Sequence, residues 1–153
     1  MFVLTAKVSK TKIALIVTIV IAVIVLAVVV HAAKKGENES KQPAADTNEG
    51  RILFLSGFGW EINTEPVQTQ TVTVPKKDSE VFTRYNELQK SQGYDLTDYR
   101  GKQVTRYVYE ILNYPNANGP VYATLFVYDG RVVGGDVTDT GEKGHMHGFK
   151  PMK

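Results

Sequence analysis

Residues 13–30 read "IALIVTIVIAVIVLAVVV", eighteen positions without a charge, in which only Thr18 is polar. No polar face interrupts the run, which rules against an amphipathic helix on a globular core. Extended to residue 33 it covers 21 residues, and as a helix it would span about 31 Å, close to the thickness of a hydrocarbon core. A lone segment can cross lipid only as a helix, because lipid offers the backbone no hydrogen-bond partners. The stretch therefore predicts one transmembrane anchor helix over residues 13–33. The competing reading is a cleaved signal peptide, with Lys7, Lys10 and Lys12 as its basic n-region and "VHA" at residues 30–32 as its cleavage motif. Signal h-regions run to about 7–15 residues, so a retained anchor is the expectation and a cleaved, secreted chain the alternative.

Flanking charge sets the orientation. Residues 1–12 carry three lysines and no acid, whereas residues 34–49 carry Lys34, Lys35 and Lys41 against Glu37, Glu39, Asp46 and Glu49. The positive-inside rule then places residues 1–12 in the cytoplasm and the remainder outside. The chain has no cysteine, which is compatible with an exported domain that folds without disulfides. Residues 51–153 hold twelve Lys/Arg and twelve Asp/Glu, a net charge of zero, so the part that folds lacks the basic balance of a nucleic-acid binder.

Residues 34–47, "KKGENESKQPAADT", are polar and without apolar period, and predict a flexible tether. One domain is expected over 48–149, with 150–153 as a tail. "NEGRILFLSGFG" predicts a short helix capped by Asn48, with Ile52, Leu55 and Phe58 inward. "WEINTEPVQTQTVTVP" predicts extended chain up to Pro75. "DSEVFTRYNELQKSQG" predicts a second helix, capped by Asp78, with Val81, Tyr85 and Leu88 as its stripe and Phe82 beside it. Three alternating strands follow, "KQVTRYVYEILNY", "PVYATLFVY" and "RVVGGDV". Asp129-Gly130 between the last two predicts a type I′ hairpin, and the paired glycines predict a bulge or a close backbone approach. The fold class is α+β, two helices packed on one face of a small antiparallel sheet that ends in a three-stranded meander.

The ordered strings "FLSGFGWEI", "YNELQKSQGYDLTDYRGK", "RYVYEILNYP", "VYATLFVYDGRVVGGDV" and "MHGF" resemble the domain-of-unknown-function 4830 family. These are small exported domains behind an N-terminal anchor in Gram-positive, clostridia-like bacteria. The resemblance implies an envelope location and no particular activity.

Candidate chemistry is sparse. The tail "DTGEKGHMHGFK" brings Glu142, His145 and His147 close after Asp136 and Asp139. Residues two apart on extended chain share a side, so His145 and His147 would face one ion together. Yet zinc sites use tighter ligand pairs, and no calcium loop is present, so no metal and no cofactor are expected. The segment is expected instead to close the domain, with Phe149 docked on the core, His147 at its edge and His145 solvated. No Gly-x-Ser-x-Gly elbow is present and Ser56 has no histidine near it in sequence, so no catalytic residue is assigned. Of the eight tyrosines, Tyr94, Tyr99 and Tyr114 fall in or beside loops and are the candidate binding residues, suited to stacking on a sugar or anchoring a protein. The leading expectation is a non-enzymatic binding or interaction module of the cell envelope. Its partners would be membrane lipid through the anchor and an envelope protein or cell-wall glycan through the domain. The alternatives are a small metal-dependent or hydrolytic enzyme using Asp136, Asp139, His145 and His147, and a structural subunit pairing through its anchor helix.

Overall fold

The computed structural model describes residues 23–26 and 43–152. The expected anchor lies outside the described residues except for the helical residues 23–26, and so do residues 1–12 and most of the tether. Among the described residues no helix is long and apolar enough to cross a membrane.

Residues 43–152 form an antiparallel five-stranded sheet with helices, an α+β architecture. In chain order the elements are α1 (Asn48–Ser56), β1 (Gln68–Thr73), α2 (Glu80–Ser91), a 3-10 turn (Leu96–Tyr99), β2 (Gln103–Ile111), β3 (Val121–Tyr128), β4 (Arg131–Asp139) and β5 (Met146–His147). The strands lie side by side in sequence order. Tyr128 pairs with Arg131 across Asp129 (φ 49°) and Gly130 (φ 70°), the positive angles a type I′ turn requires. The register slips between Phe126 and Val127, whose partners are Gly134 and Val132, so Val133 is the extra residue of a bulge. Beyond it Gly135 sits at φ 154°, where a Cβ would run into the Thr124 carbonyl oxygen and the Phe149 ring.

The alternation in β2 and β3 sorts their side chains onto two faces, but the helices do not share one face as expected. On the first face Tyr109, Ile111, Val121, Ala123, Leu125 and Val127 pack with Phe54 and Leu55 of α1, with Trp60 and with Phe149. On the second, Val104 and Val133 pack with Phe82 of α2 and with Leu96. α2 is also rotated away from its expected stripe. Its buried residues are Phe82, Asn86 and Gln89, while Val81, expected in the stripe, is 80% exposed. Two buried amides hold this rotation. Asn86 donates to Asp95 and accepts from the Leu96 amide, and Gln89 accepts from the Gly135 amide at 2.8 Å. The caps also sit one residue from the expected ones: Thr47 caps α1 and Ser79 caps α2, each with its side chain accepting a backbone N–H.

The folded packing reaches upstream of Asn48. Ala45 is fully buried and its amide donates to the Gly130 carbonyl. Arg51 is buried too, donating to the Ala45 and Asp46 carbonyls and to the Tyr109 hydroxyl, with its guanidinium 3.7 Å above the Tyr107 ring. Burying a guanidinium costs several kcal/mol unless its donors are satisfied, and the carbonyls of 45 and 46 satisfy it.

Candidate functional site

The second face is only partly roofed. α2 covers it over Val104 and Val133, and beyond Tyr85 the sheet lies open as a groove of about 820 Å³. The groove crosses the strands. Val67 and Gln68 stand at its β1 end, Val108, Tyr122, Thr124 and Phe126 along the middle, and Asp136, Thr138 and Met146 at its β4–β5 end. Tyr85 is its wall toward α2, set edge-on to Phe126 at 6.2 Å.

Two polar groups give the groove its character. Asp136 is 4% exposed and accepts from the Tyr85 hydroxyl at 2.6 Å and from Thr138 Oγ1 at 2.7 Å. Burial pushes its carboxyl above the ordinary carboxylate range, against the pull of the two hydroxyls and of the Arg106 and His147 charges. Burial first, and the Asp136 charge second, push the Tyr85 phenol well above its usual range, so it stays a neutral donor. Arg106 is the groove's cation. Its Nη2 donates to Gln68 Oε1 at 2.8 Å, while its Nε is buried without a partner. The salt bridges among the described residues are Arg84–Glu80, Lys90–Asp95 and Arg100–Asp78, so Arg106 has no carboxylate within ion-pair distance.

A smaller apolar cavity of about 280 Å³ opens between Val72 and Val74 of the β1 region and Val81 and Phe82 of α2. Tyr85 and Phe126 separate the two cavities and line both.

The sequence-predicted residues lie elsewhere, apart from Asp136. Tyr94 packs edge-on to Phe149 at 6.2 Å and Tyr99 edge-on to Tyr128 at 5.4 Å, both half-buried beside the core clusters. Tyr114 stacks on Trp60 at 5.6 Å, and its hydroxyl lies 3.1 Å from His147 Nε2. Burial raises its phenol pKa, with a smaller contribution from Asp139. The three tyrosines form no common surface patch: Tyr94 and Tyr114 belong to the first face and Tyr99 to the second. The tail residues divide likewise. Asp136 faces the groove, whereas His147, paired with Val137, faces Trp60. His147 Nδ1 lies 2.6 Å from the Gly148 carbonyl, and Asp139 Oδ1 accepts from the Gly141 amide. His145 is exposed, its ring 5.9 Å from that of His147. Among the described residues no three potential metal ligands converge. Phe149 is 1% exposed, with its amide bonded to Gln92 and its carbonyl to the Trp60 indole N–H, so the tail closes the domain as expected.

Arg106, Gln68 and Tyr85 escaped sequence reasoning as site residues. The signal for Arg106 was present, since it interrupts the otherwise apolar row Val104–Val108 on one side of β2. Nothing local marked Tyr85, whose hydroxyl meets Asp136 across 51 positions of sequence.

The family model described as "Domain of unknown function (DUF4830)" matches residues 54–137, more than half of the chain. The chain belongs to this family. No curated protein and no solved structure matches it. The DUF4830 span begins inside α1 and ends in β4, so it contains Tyr85, Arg106 and Asp136. His145, His147 and Phe149 lie beyond the DUF4830 match, as do Ala45 and Arg51.

Proposed function

We propose that this protein is a membrane-anchored binding module of the cell envelope. Residues 13–33 anchor it, residues 1–12 stay in the cytoplasm, and the DUF4830 domain takes its partner outside, on the open sheet face. The anchor rests on the uninterrupted apolar run and its basic flank. The site rests on one observation: a groove floored by the sheet in which Arg106 has an amide partner and no carboxylate. Concave, mixed apolar and polar surfaces of this size suit ligand or segment binding. Binding is supported over chemistry because Asp136 lines the groove while His147 faces Trp60, and both Asp136 oxygens already accept hydroxyl bonds.

The test is photocrosslinking in native cells. A photoreactive phenylalanine at Tyr122, inside the groove, is expected to give a discrete adduct that Arg106→Ala removes. The same residue at Glu87, exposed on α2, is expected to give none. Equal labelling from both positions, or adducts indifferent to Arg106, would overturn the groove as the site. Protease added to wall-stripped intact cells is expected to digest the domain. Its survival beside a digested exported control would overturn the orientation.

A further inference from the structure

The two edges of the sheet are treated differently. On the β4 side, β5 pairs with Val137 and Thr138, Gln89 takes the Gly135 amide, Gln92 donates to the Gly135 carbonyl, and the Ala45 amide takes the Gly130 carbonyl. On the β1 side no such bond to the outer edge is present among the described residues. β1 reads "QTQTVT", and within it there is no charge, proline or register shift, three of the devices that blunt an edge strand.

Its backbone phase follows from the register. The Val74 amide donates to the Lys102 carbonyl, which continues the pairing Thr73↔Gln103. By the alternation of an antiparallel ladder, Gln68, Gln70 and Val72 turn their backbone groups to β2, while Thr69, Thr71 and Thr73 turn theirs outward. Both cavities open along this strand, the polar groove beside Gln68 and the apolar one beside Val72. The four-residue step between them is about 13 Å. Each mouth carries an exposed valine, Val67 (55%) and Val81 (80%). The bond from Arg106 to Gln68 also draws the guanidinium over β1, toward the free edge.

We infer that β1 receives an extended peptide segment of a partner protein as a sixth strand. That segment carries a carboxylate side chain for Arg106 and an apolar side chain four residues away for the cavity between Val72 and Val81. The inference rests on the binding reading above and names its partner. Backbone bonds to Thr69, Thr71 and Thr73 would supply affinity, and the two cavities would supply selectivity. Four residues is the spacing at which an added strand presents side chains to the same sheet face at both mouths.

The test selects a displayed library of random nonapeptides on the full chain in lipid nanodiscs. The expected winners carry Asp or Glu and an aliphatic or aromatic residue four apart. A synthetic winner should lose about tenfold or more in affinity on Thr71→Pro, which removes an outward N–H and leaves the β1–β2 ladder intact. Arg106→Gln should cost a similar factor for the acidic peptide and little for its Asn or Gln analogue. N-methylation along the peptide should weaken binding only at alternate positions, a readout independent of any effect of Thr71→Pro on folding. Winners without the acid–apolar spacing, or uniform tolerance of N-methylation, would overturn the inference. So would a chain that sediments as a dimer until Thr71→Pro is introduced, since a second copy would then occupy the edge. If the Tyr122 adduct still depends on Arg106 while peptide binding ignores Thr71→Pro, the groove stands and strand addition fails. If the adduct is also indifferent to Arg106, the binding reading fails with it.

Discussion

The two faces of the sheet use similar strand residues for different ends. The first face is largely aromatic, with Arg51 as its buried cation. Phe54 and Phe149 meet edge to face at 5.1 Å, Trp60 stacks on Tyr114, and the Trp60 indole donates to the Phe149 carbonyl. The second face is roofed in part by a helix whose buried positions include Asn86 and Gln89, and it leaves Asp136 and Arg106 at an open groove. One face closes the domain and the other offers a surface. Apolar contact tolerates only small losses of volume, whereas a buried polar network holds only while every partner is present.

The sharpest way to break this contrast is to empty the first face. Phe149→Ala is expected to cost about 3–5 kcal/mol, a large part of the stability of a domain this size, seen as a shift of the urea midpoint. A smaller effect than that of Tyr85→Phe on the second face would reverse the assignment of the two faces. Next comes the segment that closes the first face from upstream. A chain beginning at residue 48 lacks Ala45, the Thr47 cap and both carbonyl acceptors of Arg51. It should be less stable than one beginning at residue 43 by about 2–3 kcal/mol, measured by parallel thermal and urea melts.

A finer test uses pH, because two aspartates respond with opposite sign. The Asp136 pKa is raised in the fold, so the folded state holds that proton more tightly than the unfolded chain. Its contribution to stability is therefore greatest in acid and declines as pH rises from the ordinary carboxylate pKa through the raised one. The Asp95 pKa is lowered, chiefly by its bond from Thr97. Its contribution is present above the ordinary carboxylate pKa and is lost as pH falls below that value through the lowered one. Asp136→Asn should accordingly flatten the decline on the alkaline side of the window, and Asp95→Asn should remove part of the acid loss. Denaturation midpoints between about pH 2 and pH 8 for the two variants would show whether the signs differ. The smallest effect belongs to the tail outside both faces. His145→Ala should change stability by no more than about 0.5 kcal/mol, and a larger loss in metal-free buffer would place His145 in the packing after all.

Much of this architecture is written locally. The alternation of "PVYATLFVY" puts Val121, Ala123, Leu125 and Val127 on the buried side, as observed, because the strand period of two is a property of the pleat itself. Asp129-Gly130 specifies its turn through the φ angles those residues tolerate, and the glycine pair marks a true bulge. Helix rotation was less legible. In "EVFTRYNELQKS" the apolar residues point to Val81 and Leu88, yet the buried side is shared by Phe82 and two amides. The amides win because Gly135 and Leu96 present backbone N–H groups that need acceptors once they are covered.

By itself the sequence determined the apolar run of residues 13–30, the family, the α+β class, the strand faces, the hairpin and the docking of Phe149. Each rests on the chemistry of neighbouring residues or on a period shorter than one element. Only the tertiary structure decided that the helices take opposite faces, that α2 stops short and leaves a groove, and that Tyr85, Arg106 and Asp136 share it. Those three come from a helix and two different strands, and Arg106 and Asp136 are not on adjacent strands. Their meeting depends on where α2 comes to rest on the sheet, which long-range packing and backbone satisfaction settle together, and which no local window of sequence contains.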